Sequence, residues 1–266
     1  MNDEGDNVLS RIIDRLFGLS KYHIYLISIF ILAFILRFIA AINLGVAADD
    51  MHFVTHAINF FFSGRLITYD QSSGLWFAFT SLMYKLFGMT QLSSRIAALV
   101  FGSFSIIVIY LLAREFFNEK TAIIASFMLA ISPFHIWNTV AEMDVMAMFF
   151  ALLGMYLFIM AMKTRKMANF AMAGITLGLS IYTKVYPLLF IPSLLLYFSY
   201  DSKKNKKKVF SSQNIKLISI FLLTVFIFTI PALTHNYLLY KDKGFLDLQF
   251  TRTLGLGKNI SEQYYG

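Results

Sequence analysis

The sequence predicts an all-α, polytopic membrane helical bundle, and three observations carry that expectation. Hydrophobic residues fill 58% of the 266 positions and charged residues only 14%, against roughly a quarter charged in soluble domains. Several apolar runs approach or exceed the roughly 18 residues that a helix needs to cross a bilayer. The 29 Phe and 14 Tyr suit lipid-facing surfaces and interfacial belts. Cysteine is absent, which excludes a disulfide framework, a thiolate nucleophile and a thiolate metal site. The net charge of +8 comes from basic residues in short loops between apolar runs, a topology pattern, so the lipid bilayer is the expected partner and nucleic acid is not.

Residues 1–21 are polar, with Leu9, Ile12, Ile13, Leu16 and Phe17 at helical spacing, as in a segment lying on a cytoplasmic membrane surface. The next apolar run starts too late and is too long for a cleavable signal peptide, so 22–44 is expected as an uncleaved first span. Its single charge, Arg37, is suited either to snorkel to the interface or to face the protein interior. Further spans are predicted at 92–113, 121–137, 143–162, 170–183, 185–200 and 215–237, giving about seven in a membrane module over 22–237. The apolar segment 74–88 has only about 15 residues and contains Lys85, so it is expected as a juxtamembrane helix within a first outer loop, 45–91. The stretch 238–266 is expected as a further outer loop at a truncated end.

Positive charge tests this layout, because Lys and Arg accumulate in cytoplasmic loops near span ends. With the N-terminus inside, the inner segments hold Arg11, Arg15 and Lys21, then Arg114 and Lys120, then Lys163, Arg165 and Lys166, then the run Lys203, Lys204, Lys206, Lys207 and Lys208. The opposite face receives Asp49, Asp50, His52, His56, Asp70, Glu142, Asp144 and Lys184. Acids and one lysine, from three different loops, therefore converge on one membrane face. That sorting is the main functional signal in the residues themselves.

Each member has a bland role beside a chemical one. Asp49 suits an N-cap or first-turn acid, and equally a general base for a hydroxyl or amine. Asp49, His52, His56 and Asn59 recur at helical spacing, so the two histidines and one carboxylate form a conceivable divalent-metal set. That signal is weak, since no Glu stands between the histidines as in metalloprotease helices, and no cofactor is required. Asp144, just after Glu142, suits a helix N-terminus or a cavity wall. Lys184, in the turn before Pro187, suits snorkelling to headgroups or holding a lipid phosphate.

In this order the features resemble the GT-C superfamily of integral membrane glycosyltransferases, in the branch with protein O-mannosyltransferases and lipid A aminoarabinose transferases. The matching pieces are Arg37 in the first span, the Asp49-Asp50 pair opening DDMHFVTHAINFFFSGRL, and the short helix GLWFAFTSLMYKLFG. They continue with the Arg95 span SSRIAALVFGSFSIIVIYLLAREFF, the ISPFHIW turn, Met143-Asp144, and AGITLGLSIYTKVYP. The series runs from about Ile31 to Tyr200. Two departures stand out: YDQSSG at 69–74 lacks the family's prolines, and the chain has fewer spans than most members.

The resemblance implies an inverting transferase whose donor is a sugar on a polyprenyl phosphate, dolichyl or undecaprenyl, and whose acceptor is a protein, lipid or glycan. It assigns catalysis to Asp49, Asp50 and Asp144, and donor-phosphate binding to Lys184, Arg95 and Arg252. His52, His56, Asp70 and Glu142 are expected to line the substrate cavity, on the outer face of a plasma membrane. A non-catalytic scaffold and a secondary transporter are the competing classes. The halves of the chain show no convincing repeat of the kind many transporters carry.

Overall fold

A computed structural model describes residues 20–46, 48–64, 74–205, 209 and 211–239, without the side chains of 48, 49 and 235–239. The surface segment 1–19, Asp70, Lys206 to Lys208, Arg252 and the side chain of Asp49 thus lie outside the described residues. The described residues form ten α-helices and one 3-10 turn, with no strand among them. In chain order these are α1 (Lys21–Asn43), α2 (Ala48–Ser63), α3 (Gly74–Phe87), α4 (Gln91–Phe116), α5 (Glu119–Ala130) and α6 (Pro133–Trp137). Then come α7 (Asp144–Thr164), α8 (Met167–Thr183), the 3-10 turn Tyr186–Leu189, α9 (Phe190–Lys204) and α10 (Ser212–Leu239).

Among the described residues four helices, α1, α4, α7 and the stretch Ser212–Thr234 of α10, are long and apolar enough to cross a bilayer. α8 is apolar but has 17 residues. Two of the seven predicted spans are broken, both for reasons written in the sequence. The span expected at 121–137 stops at Ala130 and restarts at Pro133, because Ser132 caps a new helix by accepting a bond from the His135 N–H and Pro133 takes its first position. The span expected at 185–200 opens instead with the 3-10 turn containing Pro187, and α9 begins only at Phe190.

In lipid the driving force between helices is close packing, since the tails are as apolar as Leu. α8 packs most closely on α7 and α10. At Gly154 of α7 a Cβ would meet the Leu177 backbone of α8 at 3.2 Å, and at Gly178 of α8 it would meet the Val225 carbonyl of α10 at 2.9 Å. A Cβ at Gly174 would overlap Thr224 and the Phe221 carbonyl. Phe158 of α7 fills the remaining space, with ring centroids 5.5 Å from Phe170 and 4.8 Å from Phe221. Outward, α1 and α10 show Ile31, Phe34, Phe38, Leu223 and Phe226, the surface expected of helices against acyl chains.

A second core cluster joins the first loop to the centre. Phe53 and Ala57 of α2, Trp76, Phe77 and Tyr84 of α3, and Ala97 of α4 pack with Ala141, Met143 and Met146 at the start of α7. α3 is therefore no loose surface helix: Trp76 and Phe77 are buried, and Tyr84 hydroxyl meets Ser94 of α4 at 2.9 Å. The capping box of Thr90 and Ser93 starts α4 beside it. This cluster fixes where the polar residues of α2 and of 138–144 stand.

Candidate active site

Two buried arginines organise the polar groups, each by covering the carbonyl end of a helix. Arg95 of α4 donates from Nη1 to the carbonyls of Ala41 at 3.0 Å and Leu44 at 2.8 Å, and from Nη2 to that of Gly45 at 3.0 Å. These are the last carbonyls of α1 and those just beyond it, so the cation meets the negative end of the helix dipole. Its Nη2 also pairs with Asp50 Oδ2 at 2.6 Å, both side chains almost wholly buried. Asp50 Oδ1 accepts from the Ala141 N–H, which ties the first loop to the segment before α7.

Arg37 of α1 faces the protein interior, with no exposed surface, and does not snorkel. It donates to Ala33 within its own helix at 3.0 Å and to the final carbonyls of α5, Ala130 and Leu129, each at 3.3 Å. Its Nη2 also lies 2.7 Å from His135 Nδ1. Gly102 of α4 makes room for it, since a Cβ there would stand 3.1 Å from Arg37 Nε. One guanidinium thus holds the broken α5–α6 junction in place.

The third polar group is the pair Asp144–Lys184. Lys184, just past the end of α8, places Nζ 2.7 and 2.8 Å from the two carboxylate oxygens of Asp144, in the first turn of α7. Both side chains keep partial access, 20% for the lysine and 32% for the aspartate, so this pair is reachable where Arg95–Asp50 is not. Tyr186 lies alongside, its ring centroid 5.6 Å from Lys184 Nζ and its hydroxyl 3.5 Å from the Asp144 carbonyl oxygen. Burial and the Asp144 charge raise the tyrosine's pKa, which keeps it protonated.

The expected site residues do not share one cavity: Asp144 and Glu142 line one, Asp50 and Arg95 line another, and Lys184 lines neither but reaches the first through its pair with Asp144. The larger, about 860 Å³, has Asp144, Glu142, Asn138, His135, Ser132 and Tyr186 among its lining. Apolar residues, among them Ile109, Met128, Leu129, Val145, Met148 and Leu152, make up the rest. The smaller, about 220 Å³, is lined by Asp50, Arg95, Ser94, Thr90 and Gln91 with Met51, Val54 and Ile58. Ala141, bonded to Asp50, belongs to the smaller cavity, while Glu142 and Asp144 just after it belong to the larger.

His52 and His56 line neither cavity. Their rings meet edge to face on α2 at 4.4 Å, with His52 exposed and His56 half-buried. Among the described residues no three His, Cys, Asp or Glu side chains gather as metal ligands, and the carboxylate of the Asp49 set lies outside the description. Four residues that the sequence did not single out for the site do line the larger cavity: His135, Asn138, Ser132 and Tyr186. The ISPFHIW turn and the tyrosine two places after Lys184 were their only signals, with a charged residue inside span one as the hint to Arg37.

An all-helical bundle with apolar spans and a polar cavity beside a reachable Asp–Lys pair is the architecture of an integral membrane protein with a polar site. Residues 73–235, more than half the chain, match the family described as dolichyl-phosphate-mannose-protein mannosyltransferase, and the chain belongs to that family. Among solved structures, it resembles the Archaeoglobus fulgidus oligosaccharyltransferase in its apo form, with TM-score 0.69 and 17% identity over 83% of this chain and 30% of that one. The same enzyme in complex with Zn and sulfate gives TM-score 0.68 and 17% identity, over 87% and 34% of the two chains. The A. fulgidus oligosaccharyltransferase AglB in complex with an inhibitory peptide and a dolichol-phosphate gives TM-score 0.59 and 15% identity, over 91% and 35%. At these identities the likeness is one of fold, and the chain spans about a third of the length of those proteins. No curated protein sequence matches it.

Proposed function

We propose that the chain forms the membrane core of a glycosyltransferase that moves a sugar from a polyprenyl-phosphate donor to a hydroxyl or amine acceptor on protein, lipid or glycan, inverting the anomeric carbon. The observation that carries this reading is the Asp144–Lys184 pair, partly exposed, with Asp144 in the lining of a cavity that mixes polar and apolar residues. A lipid-linked sugar needs both kinds of surface, apolar for the isoprenoid and polar for the phosphate and sugar. Membership of the mannosyltransferase family and the dolichol-phosphate held by the archaeal relative support the donor class.

In this reading the acceptor attacks the anomeric carbon as the bond to the phosphate oxygen breaks, and polyprenyl phosphate leaves. The Lys184 ammonium balances the leaving phosphate, a charge that grows in the transition state. A carboxylate on the acceptor side takes the proton, a role assigned to Asp49 with Asp144 in support. Asp50 and Arg95 act indirectly, by fixing the loop that carries Asp49. Arg252, Asp70 and the α2 histidines have supporting roles at most, and the chemistry requires no metal ion. In this reading the site stands on the face opposite the N-terminus, in a plasma membrane; the basic residues between spans support the sidedness.

The test is transfer by the purified protein in lipid, using polyprenyl phosphates bearing radiolabelled mannose, glucose or aminoarabinose and following label into acceptors. Wild-type turnover that drops at least about a hundredfold in Asp49→Asn and in Lys184→Ala is expected, the scale of losing a base or a charge contact. Wild-type turnover that both variants keep would contradict these assignments. Turnover with no donor would favour the scaffold.

A further inference from the structure

We propose that His135 is a sugar-recognising residue of the larger cavity, held as a neutral Nε2–H donor by Arg37, which acts as its positioning residue. The inference rests on the functional reading above and adds a subsite to it. Guanidinium nitrogens only donate, so the 2.7 Å contact from Arg37 Nη2 requires His135 Nδ1 to accept. In a neutral imidazole the proton then stands on Nε2. Arg37 is held in position, since its two terminal nitrogens also donate to the Ala33, Leu129 and Ala130 carbonyls inside the bundle. The backbone of His135 is fixed as well, because its N–H caps against Ser132 Oγ.

The chemistry of these residues differs from that of the Asp144–Lys184 pair. Lys184 supplies the full positive charge that suits a phosphate. The α5–α6 segment presents His135, Asn138 and Ser132, groups whose neutral donors and acceptors match the hydroxyls of a sugar ring. Among the described residues the cavity lining holds no Lys or Arg, Arg37 standing behind the imidazole. The titratable and charged groups facing His135 are Arg37 from α1 and, around the cavity, Glu142, Asp144 and Tyr186.

The two substitutions that mimic one ring nitrogen each separate recognition from support. His135→Asn keeps an acceptor for Arg37 where Nδ1 stands but removes the distal donor, whereas His135→Gln restores a donor near Nε2. Equilibrium binding would be measured for the full chain in nanodiscs, with undecaprenyl phosphate and with undecaprenyl phosphate bearing mannose or glucose. For the better-bound sugar lipid, His135→Asn should bind about tenfold more weakly than wild type, the effect of one lost hydrogen bond, with His135→Gln intermediate. Binding of bare undecaprenyl phosphate should be unchanged in both variants, and should fall in Lys184→Ala.

Equal loss for the bare and sugar-bearing lipids would overturn the sugar assignment and make His135 structural. So would wild-type affinity for the sugar lipid in His135→Asn, while leaving the phosphate role of Lys184 intact. A wild type that binds none of these lipids overturns the subsite together with the reading on which it rests.

Discussion

The two aspartate–cation pairs look alike in the sequence and differ in kind in the structure. Arg95 and Asp50 are buried and paired with each other, so cutting either leaves a charge stranded in a low dielectric. Arg95→Ala or Asp50→Ala should therefore lower unfolding stability in detergent by about 3–5 kcal/mol, read from thermal or denaturant unfolding. Lys184→Ala, at a partly exposed pair, should cost no more than about 1 kcal/mol while removing activity. None of this pairing was legible in the sequence: it gave the acids and the lysine of one face, but an arginine's partner is set by carbonyls some 50 to 90 positions away.

Helix boundaries were legible where a long apolar run stood between polar segments, as in α1, α4 and α7. They were missed where a run of apolar residues hid a proline break. Periodicity read 121–137 as one span, yet Ser132-Pro133 ends one helix and starts another, and the exposed carbonyls of Leu129 and Ala130 are what Arg37 answers. The break shapes the cavity, because it puts His135 and Asn138 in its lining in place of a continuous apolar helix. The glycines of α8 carry the opposite lesson. Gly174 and Gly178 stand in a GxxxG spacing whose meaning depends on the partner, here the backbone of α10. Gly174→Ala should push α10 off α8 and cost about 1–3 kcal/mol, whereas Gly45→Ala, with open space around it, should be close to neutral. Unfolding in detergent compares the two directly.

At the scale of the whole molecule, composition alone carried the fold class, since 58% hydrophobic residues in 266 positions leave few alternatives to a helical membrane bundle. The number of crossings was less legible than the class, because helices of 12 to 17 residues such as α5, α9 and α8 are too short to be read as spans by length. Their sidedness is measurable in this chain, which has no native cysteine to remove. Ser72→Cys should react with a membrane-impermeant maleimide on intact cells, and Lys203→Cys only after the membrane is opened; the reverse pattern would invert the topology. The central claim concerns the cavity that these helices enclose and the lysine beside it. It is tested most directly by the affinity of the purified protein for a polyprenyl phosphate against the matching polyprenol, in wild type and in Lys184→Gln. The account predicts that wild type prefers the phosphate by at least about tenfold, as a charge-assisted contact provides, and that Lys184→Gln abolishes the preference. Equal affinity for phosphate and alcohol in wild type, or an undiminished preference in Lys184→Gln, would contradict it.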